Sequence, residues 1–193
     1  MKTTKTAFIT ALLGGIIAHL YIYTNTIPNF DGISRVYDEQ QMTVSGRWFL
    51  HYVSGIYGYT QNPMLIGVLA MFFLAAAAVL TVNLFSVKNN TIAGAWGLLS
   101  VLTPAIAYTN TYTFTAAAYC FSILLAVMAV WLAANKGYRG FLIGCIALAL
   151  SMGIYQVYVT VAITLSLYLV LGKALEEGST VWETFLSGVR QAA

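Results

Sequence analysis

Charge is what this chain has least of. Only 8% of its 193 residues are Asp, Glu, Lys or Arg, against about 25% in a soluble domain, while 60% are hydrophobic. That excludes a soluble globular protein and implies an integral membrane one. Cysteine is scarce too. Cys120 and Cys145 both fall inside apolar runs with no metal-type spacing, so neither a disulfide framework nor a ligand cluster is implied. Both read as small packing residues. Internal repeats and low-complexity linkers are missing. The formal charge of +3 comes mostly from Lys and Arg in short connections between apolar runs, which is a signal of membrane topology rather than a nucleic-acid footprint.

What is present is a series of long apolar runs. Lys2 and Lys5 precede the first, residues 7–25. Its length and the lack of a small-residue cleavage pattern make it a retained helix rather than a secretory signal. Further runs cover about 64–87, 92–108, 114–134 and 141–171. The last is too long for one helix, since a span needs about 17 to 25 residues. With Lys2 and Lys5 in the cytoplasm, Lys88 and the Lys136–Arg139 pair fall on the same side, and Lys173 joins them only if 141–171 crosses twice. A break near Gly153 to Gln156 satisfies both charge and length. The expectation is an all-α integral membrane protein, a polytopic bundle of about six membrane-embedded helices, the last two the shortest. Thr103-Pro104 should kink the third near its outer end. Residues 1–174 would form the transmembrane domain and 175–193 a cytoplasmic or interfacial amphipathic tail, with Trp182, Phe185, Leu186 and Val189 at helical spacing.

The outer loop, residues 26–62, is the longest connection and gathers Asp31, Arg35, Asp38, Glu39 and Arg47. It reads as two short interfacial helices. In 33–42, Arg35 meets Asp38 and Glu39 at spacings of three and four. In 47–57, Trp48, Phe49, Tyr52, Val53 and Ile56 form an apolar stripe, with Arg47 and His51 one turn apart on the upper side. Such a loop suits a phosphate or sugar held above the bilayer. Most of the thirteen tyrosines, including Tyr108, Tyr112, Tyr119, Tyr155 and Tyr158, fall toward the outer end, whereas an ordinary aromatic belt marks both faces. Tyrosine suits stacking on sugars, so an outward cleft lined by some of these rings is expected, with Thr109, Asn110 and Thr111 at its rim.

Three motifs, Asn29-Phe30-Asp31-Gly32-Ile33-Ser34-Arg35, Gly46-Arg47-Trp48 and Gly153-Ile154-Tyr155-Gln156, together resemble the bacterial glucosyltransferases that modify O-antigen in serotype conversion, members of the GT-C superfamily. The resemblance is to the N-terminal part of such enzymes. It implies a bacterial inner-membrane enzyme that takes a hexose, glucose by analogy, from a polyprenyl-phosphate carrier and passes it to an extracytoplasmic glycan. It implies Asp31 as the catalytic acidic residue of the first outer loop. Gly32 stands where the family often carries a second acid.

Chemistry independent of the resemblance also reaches Asp31. Transfer from a lipid phosphate needs a base for the acceptor hydroxyl and positive groups for the departing phosphate, and Asp31 with Arg35 and Arg47 supplies both kinds. The competing reading makes Asp31 a helix cap and Arg35–Glu39 a solvated pair of about 0.3–0.5 kcal/mol. His51 is a phosphate contact or a plain interfacial side chain. Tyr155 and Gln156 would line the donor or acceptor sugar. Asp38 and Glu39 are secondary acidic candidates; they could bind a divalent cation such as Mg²⁺, but no metal site or cofactor is otherwise implied. His19, inside the first span, should find a buried partner. A truncated non-catalytic remnant, an accessory membrane protein and a lipid-linked sugar transporter subunit stay as alternatives, the last weakened by the near absence of polar groups in the second and fourth spans.

Overall fold

In a computed structural model, residues 2–25, 27, 30, 45–58 and 62–177 are described. The described residues are helical with no strand. Five helices are long and apolar enough to cross a membrane: α1 (Lys2–Thr24) near the N-terminus and, further on, Pro63–Leu84, Ala116–Asn135, Gly137–Ile154 and the segment Gln156–Leu175. At 1.5 Å per residue the 23 residues of α1 reach about 34 Å, enough for a hydrocarbon core of about 30 Å.

Between α1 and the second span lies a short helix, α2 (Leu50–Ser54), continued by a 3₁₀ turn over Gly55–Tyr57. The second span, α3 (Pro63–Leu84), starts where it does because Asn62 caps it, accepting from the Leu65 N–H at 3.1 Å, and Pro63 fills the first helical position. Asn89 caps α4 (Asn90–Leu99) in the same way, accepting from the N–H groups of Thr91 and Ile92.

The sixth embedded segment, expected as one kinked helix, is in two pieces. After α4 the chain unwinds over residues 100–103 and resumes as α5 (Pro104–Thr109), with Thr103 as its cap. Proline removes one helical donor, and the Thr103 hydroxyl accepts from the Ile106 N–H, so the kink becomes a stop and restart. His19 of α1 closes the gap: its Nε2–H donates to the Val101 carbonyl at 2.8 Å, in a buried position. The partner expected for this histidine is therefore backbone freed by the break.

The remaining helices are α6 (Ala116–Asn135), α7 (Gly137–Ile154) and α8 (Val159–Glu177). Only Lys136 separates α6 from α7, and Gly137 takes a positive φ of 56° there, a region open to glycine. The expected break after Gly153 is present. Tyr155 is extended and a 3₁₀ turn over Gln156–Tyr158 leads into α8. Residues 178–193, which carry the expected tail helix, lie outside the described residues.

Packing fixes the order of passes. Gly67 of α3 takes the Tyr23 ring, Gly15 of α1 takes the Met71 side chain, and Ala7, Val82 and Ala93 cluster at the far end, so α1 and α3 are antiparallel. Gly97 lies on the Ala7 carbonyl, Val101 beside Gly15, and Asn110 against Tyr23, so α4–α5 runs parallel to α1. α6 and α7 are antiparallel, joined inside the bundle by Ser122 and Ser151. Their hydroxyls are 2.9 Å apart, and each also donates to the other's backbone carbonyl, at 2.9 and 2.8 Å. α8 returns along α6 through Val127, Val130, Ala162 and Leu165. One end of the bundle thus carries Lys2, Lys5, Lys88, Lys136, Arg139 and Lys173, and the other carries residues 45–58, 108–115 and 153–158.

Candidate functional site

The site grows from the break between α7 and α8. A helix that stops at Ile154 frees the Gly153 carbonyl, and the loop that returns before α2 uses it: the Phe49 N–H donates to it at 2.8 Å. Gly153 has no side chain to keep the loop away, and an added Cβ would lie 2.7 Å from the Trp48 ring. Next to this contact the Gln156 side-chain amide donates to the Ser45 carbonyl at 2.9 Å. The loop turns there through Gly46, at φ +77°.

These anchors deliver Arg47 into a cluster of tyrosines. Its guanidinium carbon is 4.7 Å from the centre of the Tyr155 ring, and Nη1 donates to the Tyr119 hydroxyl at 3.5 Å. Tyr119 and Tyr155 are stacked, centroids 5.0 Å apart, and Tyr158 closes on both, at 6.3 and 5.6 Å. Tyr112 extends the chain to Tyr108, whose hydroxyl is 3.3 Å from its own. A cation over an aromatic face contributes about 0.5–2 kcal/mol, and a well-placed ring pair about 0.5–1.5. Between Glu39 and Glu176 the sequence carries no acidic residue. The described part of the site is therefore one guanidinium among aromatic faces and hydroxyls, a setting chemically suited to an anion with a sugar attached.

Of the residues expected at the site, Arg47, Tyr155 and Gln156 come together here. His51 is half-buried in α2, its ring edge-on to Tyr52 at 5.7 Å. Asp31, Arg35, Asp38 and Glu39, and the helix expected over 33–42, lie outside the described residues. The second expected helix is shorter than 47–57 and excludes Arg47, because the segment before it bonds to Gly153 instead of continuing a helix. Its stripe is also divided. Leu50, Val53 and Tyr57 are buried, with the Tyr57 hydroxyl donating to the Phe114 carbonyl at 2.8 Å, whereas Trp48, Tyr52 and Ile56 point outward. Sequence reasoning gave no special place to Tyr119 or Ser45, and it took Gly46 only as part of the Gly46-Arg47-Trp48 motif, not as the turn that sets the loop on Gln156. Tyr119 stood out only as one of many outer tyrosines. Among the described residues no three His, Cys, Asp or Glu side chains gather as metal ligands.

Among the described residues, five helices long enough to cross a membrane, the α4–α5 segment packed with them and an arginine–tyrosine cluster at the end opposite the lysines define a polytopic membrane protein. The chain belongs to the glucosyl transferase GtrII family, whose profile matches residues 20–193. That family's name is that of a glycosyltransferase. No curated protein and no solved structure gave a match.

Proposed function

We propose that this protein transfers a hexose, glucose by its family's name, from a polyprenyl-phosphate carrier to an extracytoplasmic glycan such as O-antigen. The observation that carries the reading is the Arg47 guanidinium held between Tyr155 and Tyr119, at the end of the bundle opposite Lys88, Lys136, Arg139 and Lys173. The positive-inside rule assigns the lysine-bearing end, and with it the N-terminus, to the cytoplasm of a bacterial inner membrane, and so the arginine to the outer surface.

In this reading Asp31 takes the proton from the acceptor hydroxyl as its oxygen attacks the anomeric carbon, and the bond to the carrier phosphate breaks. Arg47, with Arg35, receives the charge that develops on the leaving phosphate. Tyr155 supports Arg47 from beneath, Gln156 fixes the loop that carries it, and His51 and the neighbouring tyrosines face the sugar. Asp38 and Glu39 are second-choice acids, and no cofactor is called for.

The test uses membranes containing the protein, labelled polyprenyl-phosphate glucose and acceptor glycan. Loss of one charge-stabilising donor costs about 10²–10³ in rate, and loss of a general base about 10²–10⁴. Arg47→Ala and Asp31→Asn should fall in those ranges, with Arg47→Lys between Arg47→Ala and wild type, since lysine keeps the charge but not the planar fork. Undiminished transfer in both Arg47→Ala and Asp31→Asn would remove the mechanism.

A further inference from the structure

A cleft of about 520 Å³ runs along the bundle between α4–α5 on one side and α8 on the other. Its floor is small and apolar, Ala77 and Ala78 of α3 with Val127 of α6, and its walls include Trp96, Val161 and Leu165. Hydroxyls line it as well, yet they are turned away. Thr81, Ser100, Thr160 and Thr164 donate to the carbonyls of Ala77, Trp96, Val157 and Thr160 at 2.7–2.8 Å. Thr81 also accepts from the Trp96 indole N–H. Hydroxyls so engaged make poor partners for a sugar, and the apolar floor and walls suit a hydrocarbon chain.

The cleft has a direction. From Trp96, nearer the lysine-bearing end, it follows α4–α5 as far as Ile106. At its other end lies Thr160, two residues beyond Tyr158, which packs against Tyr119 and Tyr155 beneath Arg47. The ring cluster that carries Arg47 therefore begins next to one end of the apolar trough. That arrangement fits an amphiphile with an anionic head and a long chain.

We infer that this cleft seats the chain of the isoprenyl-phosphate donor, which enters sideways from the bilayer between α5 and α8. The inference rests on the donor class proposed above. A membrane phospholipid shares the same chemistry, and the experiment separates the two.

An isoprenyl phosphate carrying a photoreactive group on its third isoprenyl unit is added to the protein in nanodiscs, and labelled peptides are identified. Labelling within 96–106 and 160–165, displaced by unlabelled isoprenyl phosphate and not by phosphatidylglycerol, is the expected result. Labelling elsewhere, or equal displacement by phosphatidylglycerol, overturns the inference. A second arm compares donors with a full-length and a two-unit isoprenyl chain. Thr160→Trp and Thr164→Trp alter positions exposed to the cleft and outside the buried core, and unfolding in micelles checks that each variant is folded. Each should raise KM for the long donor roughly tenfold, as though burial of about two methylenes were lost, and leave the short donor and kcat unchanged. Equal effects on both donors would refute the seat. Specific labelling without any transfer would uphold the cleft and sink the catalytic reading instead.

Discussion

Replacing Gly46 by alanine should destabilise the loop that carries Arg47 through two separable effects. Alanine at φ +77° sits in the left-handed region, at about 1 kcal/mol. Its Cβ would also stand 2.7 Å from Nε2 of Gln156, so that side chain must move and its 2.9 Å bond to the Ser45 carbonyl is lost, at about 1 kcal/mol for a typical hydrogen bond. Gly46→Ala should then cost about 2 kcal/mol in all, and Gln156→Ala, which removes only the bond, about 1. In the double variant nothing is left to collide with and no bond is left to lose twice. Its cost should be about 2 kcal/mol rather than the additive 3, a coupling of about 1. Unfolding of the four proteins in mixed micelles measures the cycle, and binding of an isoprenyl phosphate reports whether Arg47 has moved. Strict additivity would refute the claim that Gly46 is required to make room for Gln156.

Two further outcomes concern the bundle. Ser122→Ala and Ser151→Ala, alone and together, should show a coupling of about 0.6 kcal/mol, the average for hydrogen bonds between membrane helices; a coupling indistinguishable from zero in micelle unfolding would mean that the two hydroxyls do not act as a pair. Gly144→Ala drives a methyl to 2.7 Å from the Ala129 carbonyl and should cost about 1–3 kcal/mol by overpacking. A neutral effect in the same assay would show that α6 and α7 can part freely.

The run lengths, the basic ends and the break at Gly153 to Gln156 were legible because each follows from the bilayer as solvent: length, charge asymmetry and an overlong run suffice. The break after Ser100 was only half legible. Proline announced an interruption, but whether a helix bends or stops depends on what satisfies the freed backbone, and the answer lay in the Thr103 hydroxyl and in His19, 82 positions away from Val101. α2 misled for another reason. Periodicity identifies a buried face when the opposite face meets water, yet here one face meets the bundle and the other is exposed at the membrane surface, so Val53 and Tyr52 are both apolar while facing opposite ways.

At the site, Arg47, Tyr155 and Gln156 could be picked out from motifs and from the helix break. Tyr119 could not be ranked above its fellow tyrosines. Its stacking on Tyr155 depends on the register of α6 against α7, which is fixed by Ser122–Ser151 and by Gly144 on the Ala129 carbonyl. Such pairings join residues far apart in sequence and leave no local periodic mark.

The histidine that closes the gap after α4 also bears on biogenesis. Ten residues of helix are too few to partition into lipid unaided, and the unwound carbonyl behind them would be a burden in the translocon. The segment gains shelter from α1, which is synthesised first and already offers an imidazole at the matching depth. Membrane integration of the third segment is thus conditional on the first, and a chain lacking that imidazole should let residues 90–109 slip into the lumen of the export channel.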